Sequence, residues 1–205
     1  MKVLEIPSVA LDGLCQLNTQ RYPFLLESVN HNSNNRYSIL FAHPQQELAL
    51  NQLSEFDFLD ELSAKVDTSN SQDQHLPFTG GWFVYLAYEL IGQIEPTLAK
   101  DMHDSKLPIA VAVKIPSAII VDHQLDKTYL LDEEGDQPRI EQILKDIETI
   151  KPVKVPNFSG ALSCEMDDKF LSGVKKIKDY ILAGDVFQVN LSRAWQYALD
   201  HDCSA

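Results

Sequence analysis

The sequence predicts an α+β fold, a mainly antiparallel sheet with helices packed on it. Three observations point there. Short apolar runs come in pairs separated by polar turns, the pattern of antiparallel strands. Amphipathic helical segments stand apart from one another. No regular strand–helix–strand alternation, the mark of a parallel sheet, runs along the chain.

The elements follow in order. Leu25-Leu26 and Tyr37–Ala42 (YSILFA) flank the polar stretch NHNSNN and read as strand, loop, strand. Residues 57–66 carry Leu59, Leu62 and Val66 at helical spacing, with Asp57 placed to cap the start. Residues 67–76 are polar and read as a loop. PFTGG then leads into Trp82–Tyr88, an aromatic, β-favouring run read as a buried strand, and Glu89–Ile94 turns helical. Gly80-Gly81 reads as a tight lead-in where backbone passes close to backbone.

Ile109–Val121 is apolar with Pro116 in its middle. Proline cannot donate to a sheet ladder, so the run is two strands or a bulged one. Val121-Asp122-His123 ends it and Thr128–Leu131 returns, which predicts a hairpin. Ile140, Ile143, Leu144, Ile147 and Ile150 share one helical face, with Pro138 near the start, where a missing N–H costs least. Residues 151–166 hold two prolines and a glycine and read as a linker between a first domain, 1–150, and a second segment, 167–205. In that segment Phe170, Val174, Ile177 and Ile181 are spaced 4, 3 and 4 apart. This predicts a helix capped by Asp167 or Asp168 and closed by Gly184 in the left-handed conformation. Phe187, Val189, Leu191 and Trp195 alternate with polar residues and predict a strand. Helix and strand stripes both call for a covering layer, and the two cannot wholly cover each other.

Of 205 residues 44% are apolar and 23% charged, as in a soluble chain that buries a core. The 17 basic and 30 acidic residues give a net charge of −13, which argues against a nucleic-acid partner. Acid clusters such as Asp132-Glu133-Glu134 and Asp167-Asp168 sit beside turn signals and read as solvated ends and caps. Cys15, Cys164 and Cys203 are far apart and in no metal spacing, so free thiols in a reducing, cytoplasmic compartment are expected. The apolar run from Trp82 to Gly92 is too short to span a membrane, and no signal peptide opens the chain. The six histidines show no ligand spacing, so no metal site is expected. Ser163 and Cys164 have no base nearby in sequence to activate them. Glu27-Ser28 ends an apolar run just before a polar loop that contains Arg36. It reads either as a strand end whose hydroxyl bonds locally or as part of a polar constellation for a zwitterion.

FLLES (24–28), RYSILFAHP (36–44), PFTGGWFVYLAYEL (77–90) followed by Glu95, Leu107-Pro108 before an apolar strand ending in Val121-Asp122-His123, and YILAGDVFQVNLSRAW (180–195) stand in one order. In order and spacing they resemble anthranilate synthase and aminodeoxychorismate synthase large subunits, from about residue 20 onward. GDVFQVNLSR, with Asn190 after Gln188-Val189, is most similar to the aminodeoxychorismate branch, which serves para-aminobenzoate and folate synthesis.

The resemblance implies an anthranilate synthase component I-like domain over 1–150 and the first helix and strand of a chorismate-binding catalytic domain over 167–205. It implies tryptophan at Ser28, Arg36 and Tyr37, with Asn34 and Asn35 departing from the usual residues beside that arginine. It implies a glutamine amidotransferase subunit as partner, and chorismate and magnesium for the full-length enzyme. The family's catalytic glutamates, lysine and glycine-rich carboxylate-binding segment are expected beyond residue 205, so no catalytic residue is assigned and the chain alone is expected to be inactive. An anthranilate synthase origin is the alternative within the family. A module that binds an aromatic amino acid without catalysis is the alternative outside it.

Overall fold

The computed structural model describes residues 1–28, 35–66, 76–99, 107–150 and 162–197. The chain divides into two compact units, Met1–Val153 and Lys154–Ala205.

The first unit is built on a five-stranded antiparallel sheet. Its strands are β1 (Lys2–Ile6), β2 (Phe24–Leu26), β3 (Tyr37–Ala42), and β7 (Ser117–Asp122) with β8 (Lys127–Asp132), in the order β1-β8-β7-β3-β2. A three-stranded sheet holds β4 (Glu47–Leu50), β5 (Gly81–Leu86) and β6 (Ala110–Ile115) in the order β4-β6-β5. Helices α1 (Leu11–Leu17) and α4 (Gln137–Thr149) cover one face of the larger sheet, and α2 (Phe58–Lys65) packs on the smaller one. Helix α3 (Ile91–Ile94) follows a short 3₁₀ turn over Tyr88–Leu90.

Alternation along the strands explains the layering. Leu40 and Ala42 join Ile119 and Leu130 beneath Leu14, Ile140 and Ile143. Ile39 and Phe41 face the other way and meet Val113, Ile115 and Phe83 of the smaller sheet. Phe24 of β2 stacks on Phe83 of β5, ring centroids 4.0 Å apart. Pro116 falls between β6 and β7 and separates two strands that belong to different sheets, so the chain changes layer where it lacks an N–H to give.

Asp57 caps α2 by accepting from Asp60 N, and Asp136 caps α4 by accepting from Arg139 N. On α2 the expected stripe of Leu59, Leu62 and Val66 is corrected: Phe58 is the fully buried residue, Leu62 packs beside it, and Leu59 and Val66 are exposed. Trp82–Tyr88 is not a buried strand. β5 is an edge strand of the smaller sheet, Val84, Tyr85 and Leu86 are exposed, and Tyr88 lies beyond the strand in the 3₁₀ turn. At Gly80 (φ +109°) the close neighbour is a side chain and not backbone: a Cβ there would lie 2.5 Å from Glu133.

The Asp132 reading is also corrected. Its carboxylate is fully buried and takes Arg139 Nε at 2.8 Å, Ser117 Oγ at 2.7 Å and Asp136 N at 2.8 Å. Burial raises its pKa, but these donors outweigh burial and hold it at about 2. A second network joins Arg21 and Tyr22 to Asp146 on α4, with Tyr22 Oη donating at 2.7 Å. His43 stands beside it with left-handed backbone (φ 56°), and its Nε2 is buried without a partner. Burial and the Arg21 and Arg139 guanidiniums push its pKa down, so it is neutral.

The second unit holds β9 (Leu162–Cys164), α5 (Asp167–Ala183) and β10 (Trp195–Tyr197), with β9 and β10 antiparallel. Part of the expected linker, Leu162–Cys164, is therefore a strand; 151–161 lie outside the described residues, as do 67–75 of the expected loop. The α5 N-cap is Met166, with Asp167 and Asp168 in the first turn, and Gly184 closes the helix at φ 81° as expected. The expected strand over 187–195 is corrected: only Trp195 enters a strand, and Phe187 is fully exposed. Alternation alone does not make a strand without a neighbour to pair with.

Candidate functional site

Of the residues singled out from sequence, Ser28, Arg36 and Tyr37 meet at one end of the five-stranded sheet. β2 and β3 pair antiparallel with Leu26 opposite Ile39, which brings Ser28 beside Tyr37. The Ser28 hydroxyl donates to the Tyr37 carbonyl at 2.7 Å, and the Ser28 N–H donates to Ser38 Oγ at 3.0 Å. β3 pairs with β7 so that Tyr37 faces Asp122, and His123 N donates to the Arg36 carbonyl at 2.9 Å. Asn35 is exposed at the lead-in to β3; Asn34 lies outside the described residues.

Arg36 is held on two sides. Its Nε and Nη2 donate to the two oxygens of Asp122 at 2.9 and 2.5 Å, a bidentate fork. Its guanidinium carbon lies 4.8 Å from the Tyr37 ring centroid, within cation–π range. Asp122 Oδ1 also accepts from Gln124 N at 3.0 Å and Leu125 N at 3.2 Å. The Arg36 hydrogen bonds lower the pKa of this buried carboxyl, against the effect of burial, and it is ionised at neutral pH. Ser38, itself buried, lies 2.8 Å from His123 Nε2 through its hydroxyl.

Sequence reasoning thus found Ser28, Arg36 and Tyr37, which the structure brings together, and missed Ser38, Asp122 and His123 as their partners. The available signal was that both apolar strands end in polar residues. That Asp122 would face Arg36 follows only from the pairing register. A hydroxyl beside an imidazole is nucleophile-and-base geometry, but Ser38 is buried and already accepts the Ser28 N–H, so it ties strand ends together.

In the second unit Ser163, Cys164, Glu165, Ala194 and Gln196 line an open hollow. The group beside the Cys164 thiol is the Arg193 guanidinium, at 2.9 Å, which also donates to the Glu165 carbonyl and to Asp167. A guanidinium cannot act as the general base with which a thiol nucleophile is paired. Among the described residues no group of three His, Cys, Asp or Glu is assembled to hold a metal ion, and no helix is long and apolar enough to cross a membrane.

Residues 22–205 match the family described as chorismate binding enzyme. An anthranilate synthase component I-like protein of Synechocystis is 29% identical over 88% of this chain and 38% of its own length. Aminodeoxychorismate synthase component 1 of Klebsiella aerogenes is 26% identical over 91% of this chain and 45% of its own. The crystal structure of anthranilate synthase component I from Streptococcus pneumoniae superposes with a TM-score of 0.54 at 21% identity, covering 77% of this chain and 40% of that one. That likeness confirms the mixed helix and antiparallel-sheet architecture. The chain spans less than half the length of each of these proteins.

Proposed function

This chain belongs to the chorismate-binding enzyme family, and we propose that it is the amino-terminal part of a component I subunit that aminates chorismate, on the aminodeoxychorismate side of the family. The observation that carries the proposal is the family match, which runs through both units from residue 22 to 205. The branch rests on GDVFQVNLSR (184–193), with Asn190 as its distinguishing residue. Relatives of both branches align at similar identity, 30% for Vibrio parahaemolyticus anthranilate synthase component 1 and 28% for Streptomyces lividans aminodeoxychorismate synthase component 1. Anthranilate synthase is therefore the second reading.

In the proposed reaction ammonia from a glutamine amidotransferase subunit displaces the 4-hydroxyl of chorismate. The role of residues 1–150 is to hold tryptophan at the sheet end, through Ser28, Asn34, Asn35, Arg36 and Tyr37. The Arg36–Asp122 fork and the Ser28–Tyr37 bond support this by fixing polar groups of both kinds at one place. Magnesium, which the family reaction calls for, does not fit the described residues, which assemble no carboxylate cluster for it.

The test begins with the coding DNA beyond residue 205. The protein from the whole reading frame is assayed with chorismate, ammonia and magnesium, and products are separated by chromatography. 4-Amino-4-deoxychorismate is the expected product. Anthranilate moves the protein to the other branch, and neither product overturns the reading. Residues 1–205 alone are expected to give no product.

A further inference from the structure

Resting on the tryptophan reading above, we infer that Asp122 is a positioning residue: it orients Arg36 so that the guanidinium meets the carboxylate of the amino acid edge-on. Three observations carry this. Asp122 takes the Nε and Nη2 edge of Arg36 at 2.9 and 2.5 Å, two of the five N–H groups that a guanidinium carries. A planar fork used along that side presents its other edge, Nη1 with Nη2, as a second bidentate face of the shape a carboxylate needs. Asp122 ends a strand interior to the sheet, between β8 and β3, so its own position is fixed.

The carboxylate is also built to stay put. Gln124 N and Leu125 N hold Oδ1 from the following turn, and the residue is almost wholly buried. The Tyr37 ring, 4.8 Å from the guanidinium carbon, gives Arg36 a second contact. These contacts restrict a long flexible side chain before any ligand arrives, which lowers the ordering cost of binding.

Position and charge predict opposite signs. Asp122→Asn keeps an oxygen for the two turn amides and removes one negative charge. If Arg36 served only as a positive charge, the substitution would tighten carboxylate binding. If Asp122 positions it, binding weakens despite the more favourable charge. Calorimetry on the folded 205-residue chain with tryptophan, and with tryptamine, which lacks the carboxylate, separates the two.

The expected result is at least a tenfold loss of tryptophan affinity in Asp122→Asn with tryptamine affinity unchanged. In an Arg36→Gln background, Asp122→Asn should have no further effect on tryptophan, since the residue acts through Arg36. Should Asp122→Asn fail to fold, Arg36→Lys, which leaves the turn bonds alone and keeps the charge, is expected to show the same tenfold loss. Equal or tighter tryptophan binding in Asp122→Asn, or an equal loss for both ligands, overturns the inference. Absence of tryptophan binding by the unsubstituted chain overturns the reading beneath it.

Discussion

In the first unit Leu40, Ile119 and Leu130 lie side by side across three strands and are buried beneath α1 and α4. In the second, Phe170, Val174 and Ile177 make an equally regular stripe along α5 and are only half covered, and Ile181, Leu182 and Phe187 are exposed. One close approach to α5 is at Gly173, where an added Cβ would lie 3.2 Å from the Leu191 side chain. The difference is in layers. The first unit has a helix layer and two sheets in contact, whereas the described residues of the second form one helix and a ribbon of two three-residue strands. A stripe marks which face of an element is to be buried, and a second layer determines whether it is.

The largest expected effect tests the covered side. Phe58→Ala removes a ring that is fully buried under the smaller sheet and should cost about 3–5 kcal/mol. Urea denaturation measures it. A loss under about 1 kcal/mol would mean that this core closes over cavities and is no better packed than the second unit.

Next comes the buried ion pair. Arg139→Met leaves Asp132 without its main partner and should cost about 3 kcal/mol, the lower end for such a pair because Arg139 is partly open to solvent. The pH dependence carries a sign. The folded pKa of Asp132, about 2, lies below the unfolded carboxyl value of about 3.9. Its contribution is therefore present above about pH 4 and is lost as pH falls towards about 2. Urea midpoints measured down through this window should fall less steeply in Arg139→Met than in the parent. An unchanged slope would place the acid sensitivity on other carboxyls.

The smallest effect belongs to the open side. Leu182, 85% exposed on α5, should change stability by no more than about 0.5 kcal/mol when replaced by alanine. A cost approaching that of Phe58→Ala would show that α5 has a covering layer in solution and would remove the contrast between the units.

Much of this architecture is written locally. Asp57 and Asp136 cap helices because a short acceptor precedes an amphipathic run, and Gly184 ends α5 because it tolerates a positive φ. Pro116 divides two strands because it has no N–H. Such features depend on a few neighbouring residues, so the sequence by itself determined them, together with the placing of Ser28 after one apolar run and of Arg36 and Tyr37 at the start of the next.

Features that depend on partners far along the chain were decided by tertiary structure. Pro116 marks a change of sheet as well as a break, because β6 pairs with β4 and β5 while β7 pairs with β3 and β8. Asp132 sits in a run of three acids that looks solvated, and it is buried because β8 runs beneath α4, where Arg139 neutralises it. Asp122 meets Arg36 across 86 positions of sequence because the β3–β7 register places Tyr37 opposite Asp122. The alternating run at 187–195 failed as a strand for the same reason, since a strand is made by its neighbour. Periodicity and capping are properties of a segment, but register, burial and ion pairing belong to pairs of segments, and the pairs exist only once the chain has folded.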